Sequence, residues 1–306
     1  MSRKLFFTVA AALLALSANA QYLTYDASRS QGLERCDSAI YAAIEEGNTP
    51  GAVLCVVQGD KIVYEKAYGN KRIVPKAEPM TTGTIFDLAS LSKCVGTTLS
   101  FMQLVEQGLV DLDATVDSYL PDFAPWTDGA DTVRITVRQL MTHTSGLQAV
   151  ADVLELGRRK ADGKPGMLRE YIMKELPRRE RPGTKRIYSC PNFITLQYIL
   201  ETVTGERLCD YAQEHVFDAL GLQHTCYFPT NQRIPKKILS NIAPTEVLYR
   251  KGTDPQQSGR RTKYGRALLG QVHDPTARRF NCGNSGNAGN IDIGDDGADS
   301  YDVPLD

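Results

Sequence analysis

The pattern of hydrophobic and polar residues predicts two strands near the start of the chain. Residues 52–57 are a continuous apolar run, and residues 61–68 are mainly apolar with charged residues at 61, 65 and 66. Gln58-Gly59-Asp60 between the two segments is typical of a hairpin turn. An amphipathic stretch at residues 34–46 predicts a helix before the hairpin. Because a lone hairpin is only marginally stable in water, further strands or helices must pack against it.

The pattern changes to helical spacing from Thr84 to about Gly221. Helices are predicted at residues 137–143, 166–176, 193–203 and 208–220, the third ending before Gly205 and the fourth before Gly221. The sequence has no internal repeat and no long low-complexity linker. Residues 21–289 are therefore predicted to form one domain.

A further apolar segment opens with Ser90-Leu91-Ser92-Lys93 and runs to about Gly108. Residues three apart on a helix are neighbours, so the Ser90 hydroxyl and the Lys93 amine can share one face. At a helix N-terminus, unpaired backbone N–H groups favour negative charge on the serine oxygen, and Lys93 is placed to take its proton. The alternative is a helix-capping serine beside an exposed lysine.

Burial of Lys93 bears on this choice, because a lysine acts as a base only where its surroundings disfavour its charge. Apolar residues recur at helical spacing after Lys93, which predicts a central, buried helix. They are Val95, Leu99, Met102, Val105 and Leu109.

Composition narrows the possible functions. The 306 residues are 42% hydrophobic and 23% charged with a net charge of -1, so no basic field attracts nucleic acid. Seven cysteines are scattered without a C-x-x-C pair, and we expect buried free thiols rather than a disulfide framework. Neither a metal ion nor a cofactor is expected.

Residues 1–20 have the pattern of a secretory signal peptide. Arg3 and Lys4 form a charged start, residues 5–16 are apolar, and Ala-Asn-Ala ending at residue 20 is a small-residue cleavage site. The alternative, a membrane anchor, needs roughly 20 apolar residues. We expect cleavage before Gln21, a periplasmic or secreted protein, and no transmembrane anchor after cleavage.

A turn-rich stretch at residues 181–192 precedes a predicted helix and contains Tyr188. A tyrosine in such a loop can share a proton with a nearby lysine, because a cation favours the phenolate form. The alternative is an aromatic packing residue with a solvated hydroxyl.

Several runs, in order and at suitable distances, resemble the serine beta-lactamase-related family, which includes class C beta-lactamases, penicillin-binding D,D-peptidases, D-aminopeptidases and carboxylesterases. They are Phe-Asp-Leu-Ala-Ser-Leu-Ser-Lys at 86–93, Leu-Met-Thr-His-Thr-Ser-Gly-Leu at 140–147, and Pro-Gly-Thr at 182–184 with Tyr-Ser at 188–189. Segments 242–246, 270–275 and 285–289 resemble the esterase-like branch of the family. The similarity spans about residues 40–289.

This resemblance implies an α+β fold of the beta-lactamase type, with an antiparallel sheet flanked by helices and a mostly helical region around residues 111–221. It implies acyl transfer, with Ser90 as the nucleophile, Lys93 as its base and Tyr188 as the proton relay to the leaving group. The substrates would be small esters, amides or cell-wall-derived peptides. His143 is expected to be structural, and the oligomeric state stays open.

One departure from the family lies next to Tyr188. The family commonly has Tyr-x-Asn, whose asparagine contacts the substrate, whereas this chain has Cys190 in that place. A thiol is a poor hydrogen-bond partner, which weakens the case for a beta-lactamase and leaves room for esters. Asn192 can substitute only if the backbone bends. Cys190 and Asn192 are the candidate substrate-binding residues.

The second departure follows residue 289, where the family continues with a helix, strands carrying Lys-Thr-Gly or His-Thr-Gly, and a last helix. Residues 290–306 instead contain six aspartates and no basic residue, which predicts a disordered tail and an incomplete sheet. One hypothesis is a frameshift or truncation near codon 290, and another is a calcium-binding tail. The alternative function is accordingly a catalytically impaired relic that only binds such ligands.

Overall fold

The computed structural model describes residues 24–74, 76–222, 225–227, 236–245, 247–248, 266–288 and 290–293. The predicted signal peptide and residues 294–306 of the predicted tail lie outside these ranges. Helices and antiparallel sheets both occur in the described part, which confirms the predicted α+β class. No helix within it has the length and apolar character of a bilayer span.

The strands and helices of the described residues are numbered in chain order. The strands are β1 (Thr24–Tyr25), β2 (Gly51–Gln58), β3 (Lys61–Arg72), β4 (Glu78–Pro79), β5 (Ile85–Asp87), β6 (Trp126–Thr127), β7 (Thr132–Val133), β8 (Cys226–Tyr227), β9 (Val247–Leu248), β10 (Arg266–Ala267) and β11 (Asn290–Ile293). The α-helices are α1 (Arg35–Glu45), α2 (Leu99–Glu106), α3 (Val116–Tyr119), α4 (Val137–Met141), α5 (Val153–Arg158), α6 (Pro165–Glu170), α7 (Cys190–Thr204), α8 (Leu208–Ala212), α9 (Lys236–Asn241) and α10 (Pro275–Phe280).

The predicted hairpin is confirmed, and both of its strands are longer than predicted. Strands β2 and β3 pair antiparallel, and Gly59 turns the chain between them with φ +63°, a conformation that favours glycine. Strand β1 pairs with the other side of β3, and β4 pairs with its end. Strand β2 is thus an edge strand among the described residues.

Helix α1, also predicted, is held to the hairpin by a polar cluster around Asp37. The Asp37 carboxylate accepts hydrogen bonds from the Tyr64 and Tyr68 hydroxyls, both at 2.7 Å, and pairs closely with Lys66. The Lys66 ammonium also lies 5.2 Å from the Tyr68 ring centroid. One carboxylate on the helix therefore joins three side chains of β3.

Strand β11 lies between β5 and β8 and runs antiparallel to both. Its backbone places Ile291 opposite Asp87 on one side and opposite Cys226 on the other. The prediction of a disordered tail is therefore wrong for residues 290–293. Backbone pairing explains the difference, because the edges of β5 and β8 carry N–H and C=O groups that need partners whatever the composition of the strand.

The predicted helices are confirmed, although three of them include a turn of π-helix. Lys93–Thr98 leads into α2, Tyr171–Glu175 follows α6, and Gln213–Phe217 follows α8. The sequence pattern did not identify α3, α5, α9 and α10, all of which have six residues or fewer. Such short helices show less than two turns of periodicity.

The core of the helical region lies around α7. Residues 191–200 of this helix are all buried, as is typical of a helix that other elements cover on every side. Helices α3, α4 and α8 and the π-helical turn at Lys93–Thr98 pack against it. Gly205 ends α7 in the left-handed conformation, with φ +78°.

The seven cysteines, all within the described ranges, form no disulfide, as predicted. Their burial was predicted less well. Cys209 is buried, but Cys55 and Cys94 are exposed, which contradicts the expectation for those two. Cys55 lies on the edge strand β2, and Cys94 points outward from the π-helical turn, so neither side chain faces the core.

Candidate active site

Ser90 lies in a tight turn directly after strand β5. The Asp87 carboxylate accepts a hydrogen bond of 2.8 Å from the Ala89 N–H group, and Ala89 has φ +45°, which is uncommon for a residue other than glycine. A single 3-10 turn at Ala89–Leu91 follows and leaves the Ser90 side chain exposed. The turn therefore presents the hydroxyl at the protein surface.

Lys93 lies below Ser90 and is only 3% exposed. Its Nζ atom is 3.1 Å from Ser90 Oγ and 3.0 Å from the backbone oxygen of Asn287. The alternative of a capping serine beside an exposed lysine is therefore wrong. The arrangement aims a buried amine at an exposed hydroxyl, as the spacing of the two residues predicted.

Tyr188 contacts the same amine from the loop before α7. Lys93 Nζ lies 4.8 Å from the centroid of the Tyr188 ring, and the tyrosine is 48% exposed. This half-exposure also fits the alternative, an aromatic packing residue with a solvated hydroxyl, and the contact with Lys93 is what a proton relay requires in addition. The structure thus brings together Ser90, Lys93 and Tyr188, which are separated along the chain.

The loop that carries Tyr188 is attached along residues 143–149. Backbone oxygens of this segment accept hydrogen bonds from the N–H groups of Gly183, Ile187 and Cys190, at 2.8, 2.8 and 2.9 Å. The Ser189 hydroxyl donates to the Gln148 oxygen at 2.8 Å. The two runs at 140–147 and 182–189 are therefore partners in one substructure.

Cys190, the first residue of α7, has its thiol beside Lys93 and the side chain of Asn287. Burial raises the pKa of the thiol, and the nearby Lys93 ammonium opposes that rise. The thiol form is therefore favoured at neutral pH. Cys190 thus lies in the site, where a substrate-contacting residue was predicted.

Asn192 does not contact the site, and its predicted role in substrate binding is wrong. The residue is completely buried. Its Oδ1 atom accepts a hydrogen bond of 2.6 Å from the Ser145 hydroxyl, and its Nδ2 group lies 3.1 Å from His143 Nδ1. Both ends of the amide are thus occupied by neighbouring protein groups.

Asn287 is a site residue that the sequence did not single out. Its backbone oxygen accepts from Lys93, and its side-chain Oδ1 accepts a 2.6 Å hydrogen bond from the Ser285 hydroxyl. Its Nδ2 group is buried, and its side chain lies beside the Cys190 thiol. The available signal was the Ser-Gly-Asn run at 285–287, which only the family resemblance marked.

His143 also lies closer to the site than expected. Its ring centroid is 4.5 Å from that of Tyr188 and 5.2 Å from that of Phe193. Burial, with the positive charges of Lys93 and Arg186, lowers the pKa of His143 to about 4. The imidazole is therefore neutral at physiological pH.

Among the described residues, the cluster of side chains with the geometry to hold a metal ion lies outside the Ser90 site. Glu206, Glu214 and His215 have potential ligand atoms within 4.8 Å of one another, and none of them belongs to the Ser90 site. The Ser90 site combines a hydroxyl, an amine, a phenol and a thiol. These groups fit nucleophilic and proton-transfer chemistry.

Comparison with known proteins shows which family the chain is similar to. A family model described as Beta-lactamase matches residues 36–238. A protein of Escherichia coli O157:H7 named as a D-alanyl-D-alanine carboxypeptidase is 30% identical over 80% of this chain and 54% of its own length. An N-acetylmuramyl-L-alanine amidase of Bacillus subtilis is 32% identical over 80% of this chain and 56% of its own length. The chain thus spans about half the length of these relatives.

Among solved structures, EstCE1 is described as a hydrolase with promiscuous acyltransferase activity. It superimposes with a TM-score of 0.64 at 25% sequence identity, over 85% of this chain and 69% of its own. The family model spans both the hairpin region and the helical region, and the structural similarity extends over most of the chain, so the predicted fold type is confirmed.

Proposed function

The chain belongs to the beta-lactamase family, a family of serine hydrolases, and on that premise we propose that it hydrolyses small acyl compounds through a covalent intermediate on Ser90. The observation that carries the proposal is the distance of 3.1 Å between Lys93 Nζ and Ser90 Oγ. A serine hydroxyl is a weak nucleophile unless a base lies within hydrogen-bond reach. A buried amine at this distance supplies such a base.

The first step is attack of Ser90 Oγ on the substrate carbonyl carbon while Lys93 Nζ takes the hydroxyl proton, a transfer that requires Lys93 to have released its own extra proton first. The N–H groups of Lys93 keep their bond to the Asn287 oxygen during this transfer. The resulting oxyanion needs hydrogen-bond donors, and the Ser90 N–H group at the start of a helical turn is one candidate. The products of this step are a tetrahedral intermediate and a protonated lysine.

The second step is collapse of that intermediate to an acyl-enzyme. The proton passes from Lys93 through the Tyr188 hydroxyl to the leaving oxygen or nitrogen as its bond to the acyl carbon breaks. A water molecule then attacks the ester of Ser90, and one of its protons passes through the same groups to Ser90 Oγ as the bond between Oγ and the acyl carbon breaks, which releases the carboxylic acid and restores the free hydroxyl. The half-exposed position of Tyr188 supports this role, because its hydroxyl can reach a leaving group at the surface.

Cys190 supports esters as the preferred substrates over amides. The thiol replaces an amide side chain in the site and is a weak hydrogen-bond partner. An amide substrate needs orientation of its N–H and C=O groups, and its leaving group is poorer than that of an ester. The relatives that are named as a carboxypeptidase and an amidase support amides and cell-wall peptides as further substrates. We also propose export to the periplasm or the medium, on the pattern of residues 1–20.

The test of the nucleophile is the intact mass of the purified protein after exposure to a fluorophosphonate probe. We expect a single adduct on the parent and none on Ser90→Ala. Absence of an adduct from a parent protein that unfolds cooperatively would contradict the proposal and leave the binding relic as the function. A retained adduct on Ser90→Ala would assign the reaction to another residue.

The substrate class is tested with Cys190→Asn on matched ester and amide pairs. The introduced amide oxygen can accept from Asn287 Nδ2, which leaves its own N–H groups to a substrate carbonyl. We expect the ratio of amide to ester kcat/KM to rise by about tenfold, the value of one hydrogen bond. Cys36→Asn, at a half-buried cysteine of α1, is the matched control and should leave the ratio unchanged. An unchanged ratio in Cys190→Asn would remove the argument for esters.

A further inference from the structure

His143 makes hydrogen bonds to both chain neighbours of Tyr188. The Ile187 N–H group donates to the His143 backbone oxygen at 2.8 Å. The Ser189 N–H group donates to the His143 ring atom Nδ1 at 3.2 Å. The His143 ring itself packs against the Tyr188 ring. One residue therefore fixes the backbone before and after the tyrosine and also the plane of its side chain.

The hydrogen-bond donors around His143 determine its charge and its tautomer. Ser145 Oγ accepts from the Leu147 N–H group at 3.2 Å, so its own proton is directed to Asn192 Oδ1 at 2.6 Å. This orients the Asn192 amide with its N–H group toward His143 Nδ1, at 3.1 Å. Both Asn192 and Ser189 then donate to Nδ1, which must be an acceptor. The ring is therefore neutral with its proton on Nε2.

The backbone conformation of His143 also indicates that the surrounding structure holds this residue in place. Its φ is +59°, in the left-handed region that residues with side chains seldom occupy. Such conformations persist where the surroundings hold them, and they are concentrated at functional sites. Asparagine and histidine tolerate this region better than most residues do.

We propose that His143 is a positioning residue, which as a neutral Nδ1 acceptor holds the Tyr188 ring against Lys93 for proton transfer. The inference rests on the proposed acyl-transfer function and adds to it a residue that does not touch the substrate. It also makes specific the expectation that His143 is structural, because the structure that His143 holds is the position of Tyr188.

The charged and titratable groups around His143 set its pH dependence. Lys93 comes from the π-helical turn, Arg186 and Tyr188 come from the loop, and both cations disfavour a charged imidazole. With a pKa lowered to about 4, chiefly by burial, the ring protonates only below that pH. A protonated Nδ1 cannot accept from Ser189 or Asn192, so turnover should fall as the pH falls through about 4.

The test compares His143→Asn with His143→Phe. Asparagine keeps an acceptor near the Nδ1 position, tolerates the backbone conformation and never protonates, whereas phenylalanine keeps a ring without an acceptor. We expect His143→Asn to stay within a few-fold of the parent in ester kcat and to lose the inflection near pH 4. We expect His143→Phe to lose on the order of 100-fold in kcat, the cost of a misplaced catalytic group. His215→Asn, at a half-exposed histidine, is the control and should match the parent in both.

Two results would overturn the inference: a kcat of folded His143→Phe within threefold of the parent, or a His143→Asn profile that keeps the inflection. A readout independent of activity is the ¹⁵N spectrum of labelled histidine, in which the signal absent from His143→Asn belongs to His143. The ¹⁵N chemical shifts of His143 should be those of an unprotonated Nδ1 and a protonated Nε2, and they should titrate near pH 4. If the parent hydrolyses no ester, the proposed function fails and this spectrum decides the inference, because a protonated Nδ1 or titration near 6.5 would refute it.

Discussion

Gly286 occupies a position where no side chain fits, and the site depends on that position. A Cβ atom there would lie 2.0 Å from the Phe193 backbone oxygen. The Gly286 oxygen accepts from the Thr97 hydroxyl at 2.8 Å, and the next oxygen, that of Asn287, accepts from Lys93. Close contact between this turn and α7 therefore sets where the Lys93 amine points.

Gly286→Ala should push the turn away from α7 and move the acceptor of Lys93. We expect a loss of about 1–3 kcal/mol in the free energy of unfolding, as for other overpacked sites, and slower labelling of Ser90 by the fluorophosphonate probe. Urea unfolding and the labelling rate measure the two effects. Stability and labelling rate equal to those of the parent would show that the turn has more room than the structure indicates.

Gly166→Ala is the matched control for Gly286→Ala. Gly166 lies in α6, and a Cβ atom there meets nothing within 4 Å. Alanine in an open helical position should be neutral or stabilising, by up to about 1 kcal/mol. The two substitutions add the same atom, so a difference between them reports the contact with Phe193.

Cys190 and Asn192 illustrate how far a motif determines the role of a residue. In a strand, residues two apart lie on the same face, but in a helix they lie on nearly opposite sides. Helix α7 begins at Cys190, so Asn192 points into the core while Cys190 faces Lys93. The sequence placed both residues at the site, and only the helix start decided which one stays there.

At the scale of elements, α1 is attached to the hairpin through the charge of Asp37. Lys66, Tyr64 and Tyr68 all donate to this carboxylate and together hold its pKa at about 2, with the Lys66 bond the largest cause. The folded state thus binds a proton less readily than the unfolded state, whose carboxylate has the ordinary value of 3.8. The resulting stabilisation is complete above that value and is lost as the pH falls toward about 2.

Asp37→Asn should therefore destabilise the protein at neutral pH and leave little difference from the parent near pH 2. Urea unfolding measured across this pH range tests the expectation. Asp113→Asn is the control, because Asp113 and Arg138 form an exposed pair that contributes little. A parent and an Asp37→Asn variant that differ equally at every pH would contradict the role of the charge.

Three helices contain π-helical turns, and one of these turns includes Lys93. Hydrophobic spacing indicates a helix but not an inserted residue, because one extra residue shifts the apolar face by only part of a turn. The sequence thus predicted the apolar helix after Ser90 but not the local geometry of its first turn. Such turns are frequent at functional sites.

At the scale of the whole molecule, the reaction rate of each cysteine thiol depends on how deeply the fold buries it. We expect two of the seven cysteines, Cys55 and Cys94, to react rapidly with Ellman's reagent in the native protein at neutral pH. Cys209 should react last, because it is buried and because burial and the nearby Asp210 carboxylate raise its pKa to about 12. The half-buried cysteines should have intermediate rates.

In concentrated guanidinium chloride without reductant, all seven thiols should react. Fewer than seven would show that disulfides form in the protein as isolated, and it would contradict the unpaired arrangement of the structure. Peptide mapping of the first labelled sites checks the identity of the fast pair. Rapid labelling of Cys209 would instead indicate that the region around α8 opens readily.

The sequence by itself determined the features that short-range geometry encodes. Apolar segments around a turn signal predicted the hairpin, and hydrophobic periodicity predicted α1 and the longer helices. The spacing of Ser90 and Lys93 predicted their contact, because residues three apart in a helix are neighbours. Family resemblance added Tyr188 to the same site. The periodicity and the spacing depend only on residues close together in the chain, and the resemblance depends only on the order of the runs along it.

Tertiary structure alone decided the partners that lie far apart in sequence. It placed the Asn287 oxygen on Lys93 across 194 residues, joined His143 to both neighbours of Tyr188, and enclosed Asn192 in the core. It also placed residues 290–293 in a strand, although their composition favours a tail. Local periodicity shows which face of an element is apolar, but only the packing of the whole chain decides what that face meets and which polar groups it satisfies.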